Sequence, residues 1–580
     1  MLREECISKL DVRFQKAYYV LYKRFDANEF RLSDAETDIQ SLWLKNSNEV
    51  MSEFKKAWLL GISKDPADSR KSIYVFNVFE DKINLKEDKS KLFIVLKSAA
   101  DLIRTTVDYE VLLIFLFYKA ISDKWNTRKQ EFLDKVSNEQ QANIVANSGF
   151  YKLYNPQEDE LYTWQEVTKD TDSIRLLYNA LMVISELNKE RFGELSKLLE
   201  KTWLWSLTND DNMFILESLV SLFDSLDFSG LNYDMIGEWY MWILSYFAPQ
   251  KAKEGEVYTP KEISTLISKI IDIQEWETIL DPACGSGSML IEAYDITKKK
   301  LGKESPNIEL HWQERNEKME ALGKINFVLH GIDNFSLDVG DSLKNPRFVK
   351  CDKVIANPPW NLDGYNEDTF DDSSSAKKIY TTYTNDGFPS KQSADWAWVQ
   401  LMLYYSKKKS GIVLDSGALF RWGREKKIRQ AIIEKNLIDA VILLPEKLFY
   451  NTSAPGIILV LNHERKKTKK DIMFVNASDR ITKHPDVRKL NILAETTIEE
   501  VLKACNDWKD IEWFSKAISI DDIAKNEYNL NVSLYINPIV IEEQIDLAKE
   551  FEELKELDQK EKEILEEVYG YIDGVLKVVK

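Results

Sequence analysis

The sharpest chemical signal in the sequence is the segment Asp281-Pro-Ala-Cys-Gly-Ser-Gly-Ser288, which follows a short apolar run and precedes a helical pattern. Glycines at 285 and 287 let the backbone turn tightly and approach a ligand without a side-chain clash. The first turn of the following helix presents free amide groups. A loop of this kind binds ligands in doubly wound folds. Its candidate binding residues are Asp281, Ala283, Gly285, Ser286 and Gly287.

An acid at the end of the next predicted strand strengthens this interpretation. Glu314 is placed to accept hydrogen bonds from ribose hydroxyls, as acids do in doubly wound folds. The glycine pattern differs from G-x-G-x-x-G, which disfavours a nicotinamide cofactor. The chain contains no G-x-x-x-x-G-K-[ST], so an ATP-binding P-loop is excluded.

A second segment, Asn357-Pro-Pro-Trp360, follows the predicted strand Lys353–Ala356. Two prolines fix the backbone, so an amide side chain and a carbonyl are held toward one point. These groups suit an extruded base, with Trp360 stacking on the ring. The Asn357 side-chain oxygen and the Pro358 carbonyl accept hydrogen bonds from an amino group, which makes its nitrogen a better nucleophile toward a sulfonium methyl. A proline turn would explain an isolated segment, but its spacing from the glycine loop favours catalysis by Asn357, Pro358, Pro359 and Trp360.

The elements that must position these residues alternate between short apolar runs and helical patterns. Helices fit at Ser288–Lys299 and Lys318–His330. Strand alternating with helix predicts an α/β fold, a doubly wound, mostly parallel sheet of seven strands with helices on both faces. The seven strand candidates are Thr278–Leu280, Ile308–Trp312, Ser336–Val339, Lys353–Ala356, Gly411–Leu414, Ala440–Leu444 and Gly456–Leu461.

Four regions are predicted along the chain. Residues 1–88 form an N-terminal extension of unknown role, residues 89–250 a helical domain, residues 251–480 the catalytic domain, and residues 481–580 a C-terminal region. Apolar residues three or four apart near the end predict an amphipathic helix that is as well suited to packing on this chain as on a partner. These residues are Ile541, Ile545, Phe551, Leu554, Leu557, Ile564 and Val568.

Composition limits the function classes. The 580-residue chain has a net charge of -18, so we expect a partner protein to supply much of any affinity for DNA. A local basic stretch from 403 to 430 holds eight Lys/Arg against two Asp/Glu. No apolar run is long enough to cross a membrane and no signal peptide is recognised, so a cytoplasmic location is expected. The four cysteines and four histidines show no metal-ligand spacing, so no metal site is predicted.

Together these segments resemble the amino-methylating DNA methyltransferases. Asp281–Ser288 matches the family's cofactor loop and Asn357–Trp360 its catalytic motif. Val257-Tyr258-Thr259-Pro260 looks like its upstream cofactor motif, and Asp341 matches the acid that binds the cofactor's adenine amino group. The resemblance implies S-adenosyl-L-methionine as cofactor. The motif order is the gamma arrangement, which mostly methylates adenine N6.

The chain is still more similar to the modification subunit of type I restriction-modification systems. The resemblance covers roughly residues 91–580. It implies double-stranded DNA as substrate and a complex of two such chains with a separate specificity subunit that reads the DNA sequence; a restriction and translocation subunit can accompany them. The matching segments are Leu96–Arg104, Leu116–Asp123, Leu419–Arg429, Leu443–Thr452 and Asn526–Tyr535.

Alternatives remain open at this point. Trp360 also occurs at this position in cytosine-N4 enzymes, and similar motifs methylate RNA or protein amides. A subunit that binds the cofactor without turnover is the alternative from another class. A second base-stacking aromatic is not assigned among Phe420, Phe449 and Tyr450. Cys284 is interpreted as a packing residue rather than a cytosine-C5 nucleophile.

Overall fold

The computed structural model of the chain describes most of its residues. The described residues are 6–7, 10–25, 28–57, 59–64, 71–76, 89–103, 107–133, 135, 138–169, 172–192, 195–196, 199, 210–251, 258–370, 375–385, 387–450, 452–484, 487, 489–536, 551, 554–555, 557 and 559–565. Val257, Ile541, Ile545 and Val568, which the sequence analysis named, lie outside them.

Described residues of the catalytic region and of the C-terminal region that follows it form one nine-stranded sheet. Across the sheet the order is β9-β8-β6-β7-β5-β4-β1-β2-β3. Seven strands run in one direction, while β7 and β9 are antiparallel to their neighbours. The strands are β1 (Thr278–Asp281), β2 (Glu309–Glu314), β3 (Phe335–Val339), β4 (Cys351–Ala356), β5 (Ser406–Asp415), β6 (Ile438–Leu443), β7 (Gly456–Asn462), β8 (Asp471–Asn476) and β9 (Ser515–Ser519).

The predicted α/β doubly wound, mostly parallel sheet is confirmed, and all seven strand candidates are strands. The predicted number of seven is wrong, because β8 and β9 extend the sheet beyond β6. The sequence of β8 holds a run of only four apolar residues, and a run this short does not by itself distinguish a strand from a buried piece of helix. β8 becomes a strand by pairing with β6 on one side and β9 on the other.

Helices cover both faces of the sheet because strand side chains alternate between two cores. In β5, Ile412 and Leu414 enter the core beneath the helix Asp395–Tyr405, whereas Val413 enters the core beneath Lys261–Ile271. The helices of the catalytic and C-terminal regions are Lys261–Ile271, Ser288–Leu301, Glu317–Leu329, Ser375–Tyr380, Asp395–Tyr405, Arg424–Glu434, Glu495–Asp507 and Ile520–Lys525, with 3-10 turns at Glu367–Thr369, Ser416–Leu419 and Val532–Leu534.

The region before the sheet is mainly helical. Its helices are Lys89–Ile103, Glu110–Leu133, Glu139–Asn147, Trp164–Val167, Ser173–Leu187, Lys189–Phe192, Asp210–Asp224 and Tyr233–Lys251, with a small hairpin of Tyr154–Asn155 and Glu160–Leu161. The hydrophobic core of this region continues into the catalytic helix Glu317–Leu329. The two regions therefore share one core at that helix.

The N-terminal extension also has a folded core. Helices Val12–Phe25, Leu32–Ser41 and Ser47–Lys56 pack with a three-stranded antiparallel sheet of Phe30–Arg31, Ser72–Phe76 and Leu60–Lys64. Tyr18 and Phe76 meet edge to face there, with ring centroids 5.2 Å apart. The role of this extension stays unassigned.

The chain divides into a large unit, Met1–Ile536, and a small one, Asn537–Lys580. In the small unit the described residues between Phe551 and Leu565 are helical. Their large apolar side chains are exposed: Phe551, Leu554, Leu557, Ile564 and Leu565. A search of the described residues finds no helix with the length and apolar character to span a membrane. The bounds of the four predicted regions stay predictions.

Candidate active site

The carboxyl ends of β1, β2, β3 and β4 lie at one edge of the sheet because these strands are parallel. Asp281 is the last residue of β1 and Glu314 the last of β2. Asp341 lies two residues beyond β3, and Asn357 directly follows β4. Parallel pairing therefore brings four residues from separate parts of the sequence to the same edge.

The glycine loop turns sharply between β1 and the helix Ser288–Leu301. Gly285 and Gly287 have φ values of +57° and +83°, in the region that favours glycine. A Cβ on Gly287 would lie 2.5 Å from the Phe327 ring, so close packing also demands glycine there. The Asp281 carboxylate accepts a hydrogen bond from the Ala283 amide at 2.9 Å. Burial, with the neighbouring charge of Glu314 acting in the same direction, raises the pKa of Asp281 to about 8.

Glu314 and Asp341 place two carboxylates around the loop. One Glu314 oxygen accepts from the Gly285 amide and the other from the Asn316 amide, both at 2.8 Å. One Asp341 oxygen accepts from the Leu343 and Lys344 amides, and the other accepts from the Tyr365 hydroxyl at 2.6 Å. Carboxylate oxygens accept more than one hydrogen bond, so both acids keep acceptor sites for a ligand.

The Asn357 amide is oriented by two hydrogen bonds within the protein. Its nitrogen donates to the Thr259 hydroxyl at 2.9 Å, and its oxygen accepts from the Trp360 indole N–H at 3.1 Å. Pro358 is buried and Pro359 is exposed. Thr259 therefore fixes which side of the amide presents the acceptor oxygen. An amide oxygen has two acceptor sites, so one remains for a substrate amine.

Trp360 packs edge to face on the buried Phe449 ring, with centroids 4.7 Å apart and planes at 70°. Gly456 makes room for this pair, because a Cβ there would lie 2.7 Å from Phe449 and 3.0 Å from Trp360. Tyr450 instead meets Tyr258. Phe449 thus supports Trp360 from beneath.

A cavity of about 240 Å³ joins the two motifs. The predicted residues that line it are Thr259, Asp281, Ala283, Gly285, Ser286, Glu314, Asp341, Asn357 and Pro359. Tyr258, Pro260, Gly287, Pro358 and Trp360 are close to these in sequence but do not line it. The cavity thus extends from the glycine loop to Asn357.

Several cavity residues were missed by sequence reasoning. Arg315 and Asn316 directly follow Glu314, so their position after a strand was an available signal. Tyr365 and Trp398 carried no such signal, because the loop and helix that place them contain no motif recognised here. Trp398 is 5% exposed, and its indole N–H has no hydrogen-bond partner among the described residues. An unpaired buried donor costs free energy, so a ligand acceptor would satisfy it.

The donor and acceptor set fits an adenosyl cofactor. Glu314 and Asp341 offer carboxylate acceptors for hydroxyl and amino groups, while Met319 and Leu362 add apolar wall. Burial raises the pKa of Cys284, so its thiol stays protonated and is unsuited to nucleophilic attack. The interpretation of Cys284 as a packing residue agrees with its buried position.

Comparison with known proteins gives matches over nearly the whole chain. The family model described as N-6 DNA Methylase matches residues 231–544, and the HsdM N-terminal domain matches residues 92–213. The type I restriction enzyme MjaVII methylase subunit of Methanocaldococcus jannaschii is 49% identical over 98% of both chains. The MjaVIII methylase subunit of the same organism is 46% identical over 99% of this chain and 100% of its own length.

A solved structure supports the same fold. The methyltransferase subunit of the type I restriction-modification system from Streptococcus thermophilus has a TM-score of 0.65 at 25% identity. The match covers 77% of this chain and 99% of that one.

Proposed function

The chain belongs to the N-6 DNA methylase family, among the type I restriction-modification methylase subunits, and from that premise we propose how its residues transfer a methyl group to N6 of adenine in double-stranded DNA. The enzyme is dependent on S-adenosyl-L-methionine. The observation that carries the proposal is the single cavity shared by the glycine loop and Asn357.

Asn357 and Pro358 polarise the target amine. The free acceptor site of the Asn357 oxygen and the Pro358 carbonyl oxygen each accept a hydrogen bond from one amino N–H, so the nitrogen lone pair is less delocalised into the ring. Thr259 holds the amide in the required orientation through the 2.9 Å bond to its nitrogen. Trp360, supported by Phe449, stacks on the flipped base. Pro359 keeps the motif backbone fixed.

The glycine loop and the two acids hold the cofactor, which supplies the methyl group as an electrophilic sulfonium. Glu314 accepts from the ribose hydroxyls, and Asp341 with Tyr365 binds the adenine end. The cavity residues Asp281, Ala283, Gly285, Ser286 and Thr259 hold the methionine part. Gly287 shapes the loop, and Val257, Tyr258 and Pro260 belong to the motif that positions Thr259. With the cofactor bound, the carbon–nitrogen bond would form as the methyl–sulfur bond breaks and the amine would release a proton, so no protein nucleophile would be required.

The test is to co-express the chain with its specificity subunit in a methylation-free host and to identify the DNA nucleosides by mass spectrometry. N6-methyladenine is expected, and Asn357→Ala is expected to abolish it while leaving cofactor affinity nearly unchanged. Asn357→Asp keeps an acceptor oxygen but loses the bond to Thr259, so an intermediate rate is expected. Normal turnover by Asn357→Ala would contradict the proposed role.

Other products separate the alternatives. N4-methylcytosine would keep the mechanism and change the base. A stable complex that binds cofactor and modifies no base would support a non-catalytic subunit, or one that acts on RNA or protein.

We further propose that the chain acts in the cytoplasm, in a complex of two copies with one specificity subunit, which a restriction and translocation subunit can join. The net charge of -18 supports a partner that contributes to DNA binding. The exposed apolar side chains near the C-terminus, among them Leu554 and Leu557, supply a docking surface. Leu554→Glu with Leu557→Glu is expected to abolish co-purification of the specificity subunit. Gln559→Glu, on the opposite helix face, should leave it intact.

A further inference from the structure

Two exposed aromatic side chains lie on a short loop beside the catalytic motif. We call residues 420–423 the Trp422 loop; it joins the 3-10 turn Ser416–Leu419 to the helix Arg424–Glu434. Trp422 is 69% exposed and Phe420 is 42% exposed. Large apolar side chains that face water together commonly mark a contact surface.

The loop is held rigidly in spite of these exposed side chains. The Arg421 guanidinium donates to Asp395 at 2.7 Å, to Asp415 at 3.0 Å and to Glu425 at 3.2 Å. From the other side, the buried Arg429 guanidinium donates to the Arg421 carbonyl at 3.1 Å. Two arginines therefore fix the backbone that carries Phe420 and Trp422, so these aromatic side chains project from a fixed backbone.

The same arginine ties the loop to the catalytic motif. Arg421 donates to the side-chain oxygen of Asn361, the residue that follows Trp360. The Asn361 backbone amide in turn donates to Asp395 at 3.0 Å. The Asp395 carboxylate thus holds both the Trp422 loop and the segment Asn357–Asn361. A substrate held at Trp360 therefore passes close to this loop.

The charge near the loop favours nucleic acid as its partner. Residues 420–430 contain five Lys/Arg and one Glu in a chain whose net charge is -18. Arg421 and Arg429 are engaged within the protein, whereas Arg424 and Lys427 are exposed. The Lys426 ammonium lies 4.3 Å from the centre of the Trp422 ring. Lys426 also forms an ion pair with Glu527, and Arg424 forms one with Glu367. The side chains of both pairs are 25–60% exposed, so DNA phosphates can replace the two glutamates as partners. Basic side chains interleaved with aromatic ones suit a phosphate backbone and its stacked bases.

We propose that the Trp422 loop contacts the duplex beside the target adenine and that Trp422 enters the base stack in the space the flipped adenine leaves. Apolar side chains inserted between bases are a recurrent means of stabilising distorted DNA. Phe420 lies against the flanking nucleotide, and the neighbouring basic side chains neutralise its phosphates. The inference rests on the proposed base methylation and adds to it the residue that keeps the base out of the helix.

The test uses the complete complex with its specificity subunit and two DNA substrates. One carries the target adenine opposite thymine, and the other carries it opposite an abasic site, where flipping needs little help. Trp422→Ala is expected to lower kcat/KM on the paired substrate by about 10-fold or more. On the abasic substrate the variant should match the wild type. Trp422→Phe, which keeps a stacking ring, should retain most activity on both.

Trp276→Ala is the matched control. Trp276 is 76% exposed but lies two residues before β1, at the sheet edge opposite the cavity, so no change is expected on either substrate. With 2-aminopurine at the target position, Trp422→Ala is expected to reduce the rise in fluorescence that follows flipping.

The outcomes separate this inference from the function on which it rests. Wild-type activity of Trp422→Ala on paired DNA would overturn the inference and leave the methyltransferase assignment standing. An equal loss on both substrates would also overturn it, because the loop would then serve general binding or folding. Failure of the wild-type complex to methylate either substrate would instead remove the proposed function.

Discussion

The cofactor loop and the catalytic segment leave neighbouring strands of one sheet, yet the protein holds them in different ways. The glycine loop after β1 is supported by the helix Glu317–Leu329, because the Asn326 amide donates to the Ser286 carbonyl at 2.9 Å and Phe327 packs against Gly287, and by the Glu314 carboxylate, which accepts from the Gly285 amide. The segment that begins at Asn357 after β4 is held at Asn361 by the partly solvated ion pair of Arg421 and Asp395.

The difference follows from where each support comes from. Asn326 and Phe327 lie on the helix Glu317–Leu329, which is part of the core shared with the N-terminal helical region, where Tyr240 donates to the Leu322 carbonyl at 2.8 Å. Arg421 lies near the surface, at 26% side-chain exposure, beside the path proposed for DNA. The glycine loop is thus supported mainly from a buried helix, whereas the segment after Trp360 depends on a partly solvated ionic network. We expect the two to be separable by mutation.

The largest effect is expected from Arg421→Gln. This change leaves Asp395 and Glu425 without their cation and releases Asn361, so kcat should fall at least 10-fold while cofactor affinity changes little. The loss of stability should be on the order of 2 kcal/mol, less than for a fully buried ion pair because water reaches Arg421. Calorimetric cofactor binding and single-turnover methylation measure the two quantities. A parallel loss of cofactor affinity would show that the two supports are not separate.

A smaller effect, on cofactor binding rather than on kcat, is expected from Asn326→Ala. Losing the buried bond to the Ser286 carbonyl should lower the free energy of unfolding by about 1–3 kcal/mol and weaken cofactor binding several-fold, with kcat at saturating cofactor preserved. Asn334→Ala is the matched control, since its amide donates to the Ile308 carbonyl at 3.1 Å away from the loop. An equal loss of cofactor affinity in Asn334→Ala would show that the effect does not come from the contact with Ser286.

The last prediction concerns the effect of pH on the stability of the protein rather than on the rate of methyl transfer. His330 contacts the Asn326 carbonyl at 2.9 Å, and burial lowers the pKa of His330 to about 4. A histidine with a lowered folded pKa stabilises the protein above its unfolded value of about 6.5, and that stability is lost as the pH falls toward 4. Chemical denaturation should show a loss of about 1.4 kcal/mol per pH unit in this interval from this group, absent in His330→Gln. Identical slopes in the wild type and in His330→Gln would show that burial does not keep His330 neutral.

Much of the site was predictable because its signals are local. A strand, a glycine turn and a helix follow one another between Thr278 and Leu301, and each leaves its mark in the adjacent residues. The parallel sheet then brings Asp281, Glu314, Asp341 and Asn357 to one edge by a general rule of topology. The residue roles stay predictions until tested, but their positions agree with one cavity.

The supports of the site were not predictable from the sequence. The bond from Asn357 to Thr259 joins residues 98 positions apart, and that from Tyr365 to Asp341 joins a loop to a strand end. The sequence did not assign a second base-stacking aromatic among Phe420, Phe449 and Tyr450, because all three occur in similar surroundings in the sequence. The structure separates them by burial.

The sequence by itself determined the fold class and the positions of the glycine loop and the Asn357 segment, since turn chemistry and strand–helix alternation depend on residues close in the chain. The tertiary structure alone decided the two additional strands, the orientation of the Asn357 amide and the tether between Arg421 and Asn361. These features depend on hydrogen bonds and packing between distant segments. The local sequence around each contacting residue is compatible with many other contacts. The contacts that form are therefore decided only when the whole chain is folded.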